Sequence, residues 1–258
     1  MAKTSAISDE ALSRALGGYA GMVGLVLRDP ERWLGADTGS ASAAGLPRKL
    51  LGLLRRSTLG RVNPTRDDWE QQPLQERVDW WVDRIGLSAG LAAAAPRVAG
   101  VLADRIPLQA ALGASAAGLA VCAVARENGV DNPRDWVPLL AQVVLDRELT
   151  RPVTDVPPPE ESEQALTAEP DDEADADAPS RVAVLGRGAA RAGQTLWRLA
   201  RTFMELPHLL DERPRGGFLS RTLAKVPVVG VAGGWLDERG GIRKAARETG
   251  ELLQRRAA

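Results

Sequence analysis

Apolar positions along this chain recur at helical spacing, in blocks separated by glycine, proline and charge. Ser8 is a candidate N-cap with Asp9 and Glu10 in the first turn, where the helix dipole favours anions, and the spacing predicts a helix running to about Arg28. Gly17, Gly18, Gly21 and Gly24 interrupt that helix. Each glycine costs about 1 kcal/mol against alanine in a helix interior. The cluster therefore predicts a closely packed neighbour, with Gly17 and Gly21 as a small-xxx-small pair. Residues 37–45 read as a Gly/Ser/Ala loop. Leu46–Leu59 then sets Arg48, Lys49, Arg55 and Arg56 beside four leucines, a pattern that suits a surface helix or a helix lying on an anionic bilayer. Asp67-Asp68-Trp69 begins a segment broken at Pro73. Arg77–Ile85 carries Trp80 and Trp81, which fit either an interfacial aromatic belt or a half-buried pair with one indole in the core. Gly86–Leu102 continues as an Ala/Gly-rich helix, kinked or restarted at Pro96.

The longest uncharged run is Ile106–Ala125. As a helix it would measure about 30 Å, close to the hydrocarbon thickness of a bilayer. Leu108, Leu112, Ser115, Leu119 and Cys122 form one stripe, while Gly113, Ala117 and Ala120 line another side. Small residues let helix backbones approach in a soluble bundle and in a membrane alike, so a core helix and a membrane-inserted one both stay open. Asn128-Gly129 reads as the C-cap and Asn132-Pro133 as the turn into the next helix, whose apolar face is Trp136, Leu139, Leu140, Val143, Val144 and Leu149.

Towards the C-terminus, Ala189, Ala192, Leu196, Leu199, Phe203, Leu206 and Leu210 share one helical face, opposite Arg187, Arg191, Arg198 and Arg201. This is the cleanest amphipathic pattern in the chain. Val226–Leu236 is apolar and glycine-rich but too short to span, and suits a buried or re-entrant element. A last helix carries Ile242, Ala245, Ala246, Thr249, Leu252 and Leu253 on one side.

Charge divides the 258 residues into three parts. Residues 1–151 hold 18 basic and 17 acidic groups; residues 181–258 hold 15 and 7, net +8. Between them, 152–180 carries ten acids, six prolines and almost no large apolar group, which predicts a disordered acidic linker. The expected fold class is mainly α: a multi-helix bundle with Gly/Ala-rich packing helices, in which the helices of 1–151 pack against those of 181–258. The single Cys122 excludes an internal disulfide and fits a reducing compartment. No secretory signal is expected, and the abundance of Arg and Ala suits a high-GC bacterial genome.

Chemistry is sparse. His208 stands alone near a helix end, without the Cys, Asp or Glu cluster of a metal site. RVAVLGRG at 181–188 matches two glycines of a dinucleotide-binding loop, but Arg191 occupies the place of the third. There is no nucleophile elbow or P-loop. The expectation is a protein that is not an enzyme, with no catalytic residue, metal, cofactor or identifiable small-molecule substrate. The basic C-terminal part has few aromatics for stacking, so nucleic acid is not an expected partner. An anionic membrane surface or a protein partner remains, with Arg187, Arg191, Arg198, Arg201, Trp80 and Trp81 as the candidate contact residues.

IPLQAALGASAAGLAVCAVARENGV followed by WVPLLAQVVL resembles the central region of EcsC-family bacterial proteins, and KVPVVGVAGGWL resembles that family's C-terminal segment. The acidic insert and the scarcity of aromatics depart from it. The resemblance implies a mainly helical, membrane-associated bacterial protein on the cytoplasmic side, with a scaffold or accessory role and no chemistry to carry over. The competing expectation is a soluble helical interaction module, binding a partner through the Leu196/Phe203 face or the arginine face.

Overall fold

The computed structural model describes residues 8–34, 64, 67–94, 106–150, 155–168, 187–204 and 232–257. Within them the chain is helical, without a strand: α1 (Asp9–Arg28), α2 (Pro30–Leu34), α3 (Leu74–Ala94), α4 (Ile106–Glu127), α5 (Pro133–Leu145), α6 (Pro159–Thr167), α7 (Arg187–Met204) and α8 (Ala232–Ala257). They pack as one multi-helix bundle around α4, which touches α1, α3, α5, α7 and α8.

Alpha-helix α4 can be central because it is apolar or small on every side. Leu112, Ser115, Leu119 and Cys122 are buried, and so are Ala117 and Ala120 on another side. By length and composition Ala110–Glu127 could cross a membrane, yet 83% of that window is buried inside the bundle. Gly118 permits one close approach. A Cβ there would sit 2.9 Å from the Tyr19 hydroxyl oxygen and about 3.0 Å from its ring. Tyr19 thereby lies on the α4 backbone, donates to the Ser115 carbonyl at 2.5 Å, and meets Phe203 of α7 edge to face at 5.0 Å.

Local signals at helix ends act as the sequence suggests. The Ala11 N–H donates to Ser8 Oγ at 3.2 Å. Gly129 takes φ +82°, the left-handed conformation that ends α4. The Arg134 N–H donates to the Asn132 side chain at 3.1 Å, with Pro133 opening α5. Long polar side chains finish other ends from a distance. Arg126 of α4 donates to the Leu27 carbonyl at the end of α1. Arg84 of α3 donates to the Leu34 carbonyl at 2.7 Å, and Thr195 of α7 to the Trp33 carbonyl at 2.8 Å, both at the end of α2. These donors fill carbonyls that a helix leaves without an internal partner. Burial pulls the Arg84 guanidinium down to about 10, so it remains charged at neutral pH beside the negative end of the α2 dipole.

Part of the expected linker is helical. Residues 155–168 are ordered: an extended stretch leads into α6, which lies against α1 with Leu166 fully buried. The remainder of the expected linker, 152–154 and 169–180, lies outside the described residues. The glycines of α1 explain the docking. A Cβ on Gly17 would stand 2.1 Å from the Asp155 carbonyl oxygen, and one on Gly21 would stand 2.6 Å from Ser162 Oγ. The crowded neighbour that the glycines predict is thus the acidic segment itself. Composition misleads here because a few apolar contacts, Val156 and Leu166, suffice once the opposing helix has no side chains in the way. Gly17→Val is expected to displace 155–168 and cost about 1–3 kcal/mol, the range for overpacking. Hydrogen exchange should show lost protection in 155–168 with α4 and α5 unchanged; protection lost everywhere would contradict this assignment.

Several expectations lie outside the described residues: the Leu46–Leu59 helix, the Pro96 kink, His208 and residues 226–231. Ala232–Leu236, the rest of the apolar Val226–Leu236 stretch, forms the start of α8.

Candidate functional site

The arginine face of α7 was the strongest candidate surface. Its opposite face packs as expected, with Ala192, Leu196, Leu199 and Phe203 buried against the bundle. Buried Thr195 adds a polar anchor to α2. On the other side Arg191 is exposed, while Arg198 and Arg201 are half-buried. The side chain of Arg187 lies outside the described residues. Leu206 and Leu210 do too.

Alpha-helix α8, packed on α3, α4 and α5, turns Ile242, Ala245, Ala246 and Thr249 inward. Its basic residues point out and are held loosely: Arg243 stands 3.6 Å from Asp83 of α3, Lys244 3.5 Å from Glu248, and Arg247 3.9 Å from Glu251. Exposed pairs of this kind contribute little stability. Arg255 and Arg256 are exposed at the helix end.

The Trp80-Trp81 pair divides. Trp81 is fully buried, and its indole N–H donates to Glu127 Oε1 at 2.8 Å. It cannot belong to a membrane-facing belt in this fold. Trp80 is half-buried and bridges Trp69 and Trp81, edge to face, at 5.5 and 4.9 Å.

Sequence reasoning missed what this cluster encloses. Glu127, the last residue of α4, has a side chain only 5% exposed. Its Oε1 also accepts from the Trp69 indole at 3.3 Å, and its Oε2 accepts from Arg77 at 2.7 Å. A carboxylate at a helix C-terminus faces the wrong end of the dipole and, buried, loses its water. Two indole donors and a guanidinium replace that solvation and fasten both α3 and the turn at 67–72 to the end of α4. With both oxygens engaged, Glu127 is an anchor; the geometry gives it no open position for a reacting group. The available signal was an acid at the end of an apolar run. Its partners lie 46–58 residues away and periodicity cannot reveal them.

A second polar tie holds the N-terminus. Asp9 accepts from Arg147 at 2.8 Å and from the Thr150 hydroxyl at 2.5 Å, and the Thr150 hydrogen bonds hold its carboxyl below the usual range, with help from Arg147. A crevice between α4, α5 and α8, lined by Gly113, Ala117, Val144 and Lys244 among others, encloses about 10 Å³, the room of one water. Among the described residues no group of three or more His, Cys, Asp or Glu could hold a metal ion.

Tyr19 and Cys122 give the core a pH signature. Burial pushes the Tyr19 hydroxyl well above its ordinary 10.0, with the neighbouring Cys122 adding to the shift, and burial likewise pushes the Cys122 thiol well above 9.0. Both stay protonated in the folded chain while the unfolded chain ionises. Their contribution is therefore complete below pH 9 and is lost as pH rises through the ordinary values towards the raised ones. Thermal melts should show Tm falling above pH 9, with Tyr19→Phe removing the phenol's share of that slope; an unchanged slope in Tyr19→Phe would count against a buried neutral phenol.

Compared with known proteins, the chain matches no family model, no curated protein and no solved structure.

Proposed function

We propose that this chain is a non-catalytic, EcsC-like helical scaffold protein that attaches peripherally to an anionic membrane surface through the basic faces of α7 and α8. In this reading α4 is the internal spine of the bundle and does not enter the bilayer. The observation that supports it most is the segregation of charge onto the outside of these two helices. Arg191, Arg243, Arg247, Arg255 and Arg256 are exposed, the apolar faces of their helices are spent on the core, and the sequence stretch 181–258 that contains them has a net charge of +8. A polybasic surface gains about 1 kcal/mol per cation near an anionic leaflet, and the gain is screened by salt. The family resemblance supports the same reading through its short central and C-terminal motifs.

The burial of α4 favours a second reading, a soluble module that binds a protein through the same arginines. Flotation with vesicles separates the two. The membrane reading expects co-flotation with anionic vesicles at low salt, release at high salt, and none with neutral vesicles. Arg191→Glu combined with Arg247→Glu should abolish flotation without changing the helical circular dichroism. No flotation with anionic vesicles would overturn the membrane reading and leave the soluble module.

A further inference from the structure

We infer that the groove along α1 is a docking site for a short acidic helix of a partner protein, kept closed by the chain's own residues 155–168. Gly17 and Gly21 open α1 to its backbone, and the chain at Asp155–Pro157 lies directly on that backbone. Such a groove admits a second backbone and selects through the few side chains at its rim. The occupant shows what the rim selects. Leu166 is fully buried in the core, and Glu163 pairs with Arg32 of α2 at 2.5 Å. Arg32 is placed in advance: its guanidinium lies 4.6 Å over the Trp33 ring, and its backbone N–H donates to Asp29.

The occupant is also poorly suited to stay. Alpha-helix α6 has nine residues, below the length at which an isolated helix persists in water, and Pro158 at its N-cap supplies no side-chain bond. Ser162 Oγ is buried against Gly21 without a hydrogen-bond partner. The Arg32–Glu163 pair is about half exposed on both sides. A partner helix with alanine in the Ser162 place, glutamate next to it and leucine four residues after the alanine keeps each favourable contact and drops the orphaned hydroxyl. The segment persists through its tether: Arg147 and Thr150 hold the preceding chain to Asp9, only five residues before Asp155. A tether this short gives a high effective concentration, which a partner must exceed. This inference concerns α1 and α2 and is independent of the membrane contact assigned to α7 and α8.

The test uses the full chain and a labelled synthetic peptide with the sequence of 155–168 carrying Ser162→Ala. Leu166→Asp in the protein should release its own segment, seen as lost hydrogen-exchange protection in 155–168 with α4 and α5 still protected. The peptide, followed by fluorescence anisotropy, should then bind this variant at least about tenfold tighter than the unchanged chain, because the tethered competitor is gone. Adding Arg32→Glu should remove the binding, and a peptide carrying Glu163→Arg should restore it. Should Leu166→Asp unfold the bundle, Glu163→Lys in the protein loosens the segment from its exposed side, and peptide binding should again tighten. A released segment with peptide binding no tighter than in the unchanged chain overturns the inference. So does a segment that stays protected in both variants.

Discussion

Glu127→Ala should lower the stability of the bundle by about 3 kcal/mol, the lower end for breaking a buried ion pair. The lower end applies because Arg77 is 18% exposed and regains some water, whereas Glu127 is 5% exposed. The loss has three parts. Arg77 keeps its charge in a pocket that no longer answers it, and its Nε is already buried without a partner. The Trp69 and Trp81 indole N–H groups lose their acceptor. Alpha-helix α3 and the turn before it lose their fastening to α4. Glu127→Gln keeps the shape and one carbonyl acceptor, so it should cost less, about 1–2 kcal/mol. Urea titrations followed by Trp fluorescence would separate the two variants. A Glu127→Ala variant within about 0.5 kcal/mol of the unchanged chain, the usual range for surface substitutions, would show that the cluster is not an anchor.

Trp81→Ala should be more damaging, at about 3–5 kcal/mol, because a fully buried indole leaves a cavity as well as an unanswered carboxylate oxygen. Trp80→Ala, one residue away, should cost about 1–2 kcal/mol. It removes two edge-to-face contacts worth about 0.5–1.5 kcal/mol each, from a side chain that keeps part of its surface in water. Chemical denaturation of the two variants measures the contrast. Equal costs would contradict the division of the pair into a core residue and a bridging one.

How much of this was legible beforehand depended on the range of the interaction. Ser8, Gly129 and Asn132-Pro133 act on their own neighbours in the chain, and the ends of α1, α4 and α5 follow from them. The inward faces of α7 and α8 follow from periodicity, because Leu196, Leu199, Phe203, Ile242 and Ala245 repeat at the helical period. Three matters were out of reach. Whether Ile106–Ala125 meets lipid or protein is undetermined by its own composition, since both are apolar; the burial of α4 depends on the five helices around it. The glycines of α1 announced a close neighbour but could not name it. That neighbour, the segment at 155–168, carries acids and prolines whose average hides two apolar anchors, Val156 and Leu166. Glu127 was invisible as a site for the same reason, because its donors belong to other elements.

Alpha-helix α4 is an internal spine closed off by other helices, and the chain contains its own reporter of that closure. Cys122 is the only cysteine, fully buried in the C-terminal third of α4. The measurement is the rate at which a water-soluble thiol reagent modifies Cys122 in the native chain, without lipid or detergent, against the rate in denaturant. Reaction then requires opening of the core, and burial holds the thiol in its unreactive protonated form. Native labelling is expected to be slower by about a thousandfold or more, the protection of a group that opens only near the global unfolding free energy. Prompt labelling in the native chain, within about tenfold of the denatured rate, would contradict it.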